Sequence, residues 1–106
     1  DIHKIEYPTT YFTKKFTGEK QQLTEIPNTI INTSCEHVRN FEQWFWRIPS
    51  KTLCVFQSND FVDCDQHVNC VNNLYAFADQ TPLDKVLYEG VLELQQYNRF
   101  MRIGYK

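Results

Sequence analysis

The first third of the chain alternates apolar and polar positions in short runs separated by turn residues. Thr9 to Phe16 (TTYFTKKF) is rich in threonine and aromatic residues and ends near Gly18, the pattern of a strand. Lys20 to Ile26 and Thr29 to Thr33 read as two further short strands, separated by Pro27-Asn28. The period then lengthens. Val38, Phe41, Trp44, Phe45 and Ile48 recur at three- and four-residue steps, which predicts one short helix around residues 34–47. Thr33 and Glu36 have the spacing of a capping box at its start, and Pro49 ends it. A strand through FEQWFWRI, with Trp44 and Trp46 on one face, is the competing reading.

Alternation returns at Lys51. Leu53, Val55 and Gln57 face one way and Cys54 and Phe56 the other, with Ser58-Asn59-Asp60 as a turn. Val68 to Phe77 alternates less cleanly, and Gln80-Thr81-Pro82 marks a loop. Val86 to Leu94 and Arg99 to Tyr105 form a hairpin pattern with Tyr97-Asn98 near its tip, where asparagine tolerates positive φ. The fold class expected is mostly β, with α+β the near alternative: a compact antiparallel sandwich or small barrel carrying the one helix.

Composition narrows the job. Residues 1–106 make one globular domain, with 42% hydrophobic and 23% charged residues, ordinary values for a folded chain. Phe, Tyr and Trp number 8, 6 and 2, and rings of this size supply much of a small core. A net charge of −2 with mixed signs argues against a general binder of nucleic acid, whose affinity comes from neutralising phosphates. No apolar run reaches the ~20 residues needed to cross a bilayer. A start at Asp1, with Met101 the sole methionine, leads us to expect that residues before Asp1 are missing, either by cleavage of a signal peptide or by the choice of the expressed segment. Asn32-Thr33-Ser34 is an N-glycosylation sequon, with Asn32 the acceptor. Together with four cysteines in a short chain, these point to secretion.

TLCVFQSNDFVDCDQHVNC, residues 52–70, is the densest stretch in potential chemistry. Disulfide bridges are its first reading. Cys54 and Cys64 flank the Ser58-Asn59 turn and would pair across it, leaving Cys35 for Cys70; Cys54 with Cys70 is equally reachable. A zinc site is the second reading. Cys64, His67 and Cys70 stand at steps of three, and Cys54 would complete a tetrahedral set of thiolates and imidazole. Free thiols are the third. Asp60, Asp63 and Asp65 lack both the ligand spacing and the glycine of a calcium loop and read as a solvated acidic turn.

No catalytic residue is assigned. His37 beside Glu36 and near Arg39 would suit acid–base cleavage of RNA, but Glu36 is expected to cap the helix. Cys35 and His37 lack a third group to orient them as nucleophile and base. No nucleophile elbow, HExxH, phosphate loop or dinucleotide fingerprint occurs. A binding surface fits better. Gln95, Gln96, Tyr97, Asn98 and Arg99 gather at the hairpin tip, and tyrosine and arginine are favoured at contact hot spots.

In its four-cysteine, aromatic-rich compact domain, its missing leader and its lack of catalytic signatures, the whole chain resembles the small secreted effectors (avirulence proteins) of plant-pathogenic rust fungi. The aromatic-x-Cys motif near the N-terminus of many such effectors is absent. The resemblance implies a protein delivered into the cytosol of a host cell; separately, we expect a monomer without cofactor. Its partner there would be a host protein, an immune receptor, recognised through surface side chains; no nucleic acid or membrane is involved. Zinc-binding members of that class keep the Cys64-His67-Cys70 spacing in play, since bridges would be reduced in that compartment. A carbohydrate- or small-ligand-binding β-barrel is the alternative, and an RNase-like enzyme comes after it.

Overall fold

A computed structural model describes residues 9–14 and 20–106, with side chains from residue 26 onward. Among the described residues the elements are β1 (Thr9–Lys14), β2 (Lys20–Glu25), β3 (Thr29–Asn32), a 3-10 turn (Cys35–His37), α1 (Phe41–Arg47), β4 (Leu53–Asn59), α2 (Leu74–Gln80), β5 (Lys85–Glu93) and β6 (Asn98–Tyr105). β1 and β2 form an antiparallel pair, and the other four strands make one sheet in the order β3-β4-β6-β5. The mostly β expectation with short helices holds. The predicted ends of the first strand, Phe16 and Gly18, lie outside the described residues.

Three particulars differ from the sequence reading. β3 runs parallel to β4, pairing Ile30 with Cys54 and Ile31 with Val55, so the sheet is mixed rather than antiparallel. Parallel neighbours need a long crossover, and the segment carrying the 3-10 turn and α1 supplies it. The predicted helix over 34–47 is broken in the middle. Asn40 takes the left-handed conformation at φ 55°, so a single 3-10 turn precedes α1. The capping box is not made, because Ser34 rather than Thr33 holds the cap position, without a side-chain bond. α2 replaces the weak β pattern at Val68 to Phe77: the Asn73 side chain accepts from Ala76 N at 2.8 Å and satisfies one of its open donors.

The core lies between one face of the sheet and the helices. Phe41, Trp44, Phe45 and Ile48 form the buried stripe of α1, as their spacing predicts. Phe56 of β4 sits beneath them, its ring 6.2 Å from Phe41, 5.6 Å from Trp44 and 6.1 Å from Phe45. Cys54, Phe56 and Ser58 point inward from β4, and Phe100, Arg102 and Gly104 do so from β6. Gly104 is demanded by close approach, since a Cβ there would stand 2.2 Å from the Lys85 carbonyl oxygen. Arg102 is buried and occupied. It donates to the Thr81 carbonyl, to Thr81 Oγ1 at 2.8 Å, to Ala78 O at 3.2 Å and to Glu89 Oε2 at 3.1 Å. One guanidinium thus satisfies the carbonyls at the end of α2 and ties that helix to the sheet.

Candidate functional site

β5 borders the four-stranded sheet, and every residue in it except Gly90 is exposed. An edge strand leaves one row of backbone donors and acceptors unpaired. Here the side chains are apolar as well: Leu87 is 51% exposed, Tyr88 54% and Leu92 58%. Charged residues usually protect such an edge. In β5 they are Lys85, Glu89 and Glu93 only, and Glu89 is turned to Arg102. A bulge between Val86 and Tyr88 shifts the pairing with β6, the local irregularity that sheet edges commonly carry.

The apolar character continues onto the sheet face away from the core. Ile31, Val55, Ile103 and Tyr88 follow one another across neighbouring strands by their pairing, and Ile31 is two-thirds exposed at 67%. A groove lined by Gln57, Tyr88, Gly90, Leu92, Arg99 and Met101 lies where β4, β6 and β5 adjoin. Tyr88 lies over Gly90, close enough that a Cβ there would meet its hydroxyl at 2.6 Å.

The five tip residues divide into two groups. Gln95 and Gln96 are exposed, as is Arg99, which donates to Tyr97 Oη at 3.3 Å. Tyr97 is half-buried against Phe61, with ring centres 5.3 Å apart, and its carbonyl accepts from Leu94 N. Asn98 is held by Asp60 through both its backbone and its side chain. The tip is therefore a braced turn whose outward groups are Gln95, Gln96 and Arg99.

All four cysteines are free thiols in this structure, so none of the predicted bridges is made. The hairpin that would have faced Cys54 with Cys64 does not exist, because β4 runs straight through Ser58 and Asn59. Cys35 and Cys54 are buried, and their thiols donate to the carbonyls of Asn32 and Thr52. Burial raises both thiols, Cys54 to about 11, and the nearby Glu36 carboxylate adds to the rise at Cys35. Neither is a nucleophile at neutral pH. Cys70 is half-buried, donates to Phe61 O and is also raised, first by burial and then by Glu36, Asp60 and Cys64. Asn32 ends β3 half-buried, its Oδ1 accepting from Ser34 N at 2.9 Å.

The four zinc candidates are not drawn together among the described residues: Cys54 lies in the core, while His67 turns to other partners. The 67–69 strip is clamped to the 3-10 turn. Val68 N and Asn69 N both donate to Glu36 O at 2.9 Å, and Asn69 Nδ2 donates to Cys35 O. The clamp brings the His67 ring edge-on to His37, with centres 4.6 Å apart, and His37 Nε2 lies 3.8 Å from Glu36 Oε1. One ligand atom each from Glu36, His37 and His67 falls within 4.8 Å of the others. The sequence marked Glu36-His37 and His67 separately; no local signal joins them, since only the fold closes the distance. Arg39 is exposed on the loop that follows.

Comparison with protein-family models, curated proteins and solved structures finds no match to this chain.

Proposed function

We propose that this domain is a non-enzymatic binding protein that takes an extended strand of a partner protein along β5. The effector-type role that the resemblance implies, recognition by a host receptor, is the setting in which we place it. One observation carries the reading. β5 is a nine-residue sheet edge with apolar side chains exposed on both of its faces. Strand addition draws affinity from main-chain hydrogen bonds and specificity from alternate side chains. The backbone row on the outer side of β5, unpaired among the described residues, would supply the first. The groove beside Tyr88 and the outer face beyond it would supply the second. With Glu89 engaged by Arg102, Lys85 and Glu93 offset each other at the two ends of the strand, which favours an uncharged, apolar segment. Gln95, Gln96 and Arg99 stand at the end of the same hairpin and would fix register by hydrogen bonds.

Selection of displayed random peptides on the immobilised domain tests this. Apolar, extended sequences should emerge, slow amide exchange along Lys85–Glu93 and lose binding to Leu92→Glu. Binders that protect other segments, or that ignore Leu92→Glu, would overturn the reading. So would protection of the same amides by self-association at rising protein concentration.

A further inference from the structure

The geometry points to a second site, independent of β5: we infer that Glu36, His37 and His67 bind a divalent first-row transition-metal ion. The two rings are prepared in the same way. His37 Nδ1 lies 2.9 Å from Gln66 O and His67 Nδ1 lies 2.6 Å from Phe61 O. A carbonyl only accepts, so each Nδ1 carries a proton, and in the neutral ring each Nε2 offers its lone pair. Imidazoles fixed by a backbone carbonyl behind and open in front are the usual arrangement of metal-binding histidines.

The carboxylate supplies the second, separate indication. The Glu36 side chain is only 9% exposed, and its Oε2 is buried without a hydrogen-bond partner. A buried, unpartnered carboxylate oxygen is costly, and a cation beside it removes that cost. Oε1 of the same group already faces His37 Nε2 at 3.8 Å. Ligand atoms about 2.1 Å from a tetrahedral ion lie about 3.4 Å apart, so small side-chain rotations close the ring. Two imidazoles and one carboxylate suit zinc and its first-row neighbours rather than calcium or magnesium, which prefer all-oxygen sets. Three protein ligands leave a further position for water, and His37 is exposed to solvent.

The backbone holds the three ligands before any ion arrives. Glu36 O accepts from Val68 N and Asn69 N, which fixes the 3-10 turn against the His67 segment. Cys64 and Cys70 lie close by but outside the ligand group, Cys70 being turned to Phe61 O. The zinc suggested by C-x2-H-x2-C is thus reassigned: His67 is kept, and the thiols are replaced by Glu36 and His37.

Titration of reduced, metal-free protein with Zn2+ against a chromogenic chelator tests the assignment, with Co2+ as the spectroscopic probe. One ion should bind per chain. Glu36→Gln, His37→Gln and His67→Gln should each weaken it by more than about tenfold, while the Cys64→Ser/Cys70→Ser double variant should bind as the parent does. Tryptophan fluorescence, to which the buried Trp44 contributes, checks that each variant is folded. The Co2+ complex of the unaltered protein should show ligand-field bands without intense sulfur-to-metal charge transfer, a readout that needs no variant. Absence of binding, retention of it in His37→Gln/His67→Gln, or a thiolate charge-transfer band would each overturn the site. None of these results bears on peptide capture at β5.

Discussion

Asp60 holds Asn98 at two points: Oδ1 accepts from Asn98 N at 2.7 Å and Oδ2 accepts from Asn98 Nδ2 at 2.9 Å. The end of β4 is thereby locked to the start of β6, and the hairpin tip is set at a fixed angle to the sheet. Asn98, expected from sequence among the contact residues of the tip, also braces it. Asp60→Ala removes both acceptors and leaves a backbone donor without its partner. Hydrogen bonds to a charged group are worth ~1.5–3 kcal/mol, so urea unfolding should lose that much. Amide exchange at Leu94 and Asn98 should quicken even under conditions where the core stays folded.

Arg102 should behave as an all-or-nothing element. Its guanidinium serves two carbonyls, a hydroxyl and a carboxylate at once. Arg102→Ala takes the guanidinium from the buried Thr81 carbonyl and leaves the partly exposed Glu89 carboxylate without its partner, at an expected cost of about 1–3 kcal/mol in chemical denaturation. Arg102→Lys should not restore the loss, because an ammonium lacks the planar fork that reaches Thr81 and Glu89 together.

Phe56 is the ring on which α1 rests. It is fully buried and meets three aromatic side chains of that helix. Phe56→Ala should destabilise by about 3–5 kcal/mol. Trp46→Ala, at a position 61% exposed on the far side of the same helix, should change stability far less.

The thiols give a chemical and a pH prediction. In native protein a chromogenic disulfide reagent should label Cys64 and Cys70, and Cys35 and Cys54 only after unfolding. Burial raises Cys54 from 9.0 to about 11, and Cys35 also upward. An acid whose folded pKa is raised contributes its full stability below pH 9 and loses it as pH climbs through 11, because the unfolded thiol ionises first. Thermal midpoints should therefore fall between pH 9 and 11. For Cys54 the loss amounts to roughly 2–3 kcal/mol by the upper limit. Cys54→Ala should flatten that decline.

Local period alone determined much of this fold. The alternation at Val86 to Leu94 and Arg99 to Tyr105 fixed a hairpin, and the three- and four-residue spacing from Phe41 to Ile48 fixed the buried stripe of a helix. Burial on one side of a regular element writes its period directly into the chain. Tertiary structure decided what period cannot encode. That β3 lies parallel to β4 and that Asn40 breaks the helix are relations between segments distant in the chain or departures from a regular period, which a local pattern does not carry. α2 showed only a weak local signal because just Phe77 of its seven residues is fully buried. Glu36, Asp60 and Asn98 were each read from sequence for a role their neighbours suggested, as cap, turn and contact. Asp60 and Asn98 partner each other across 38 positions, and the Glu36 backbone carbonyl takes its donors from Val68 and Asn69; such uses are settled by what folding places within reach.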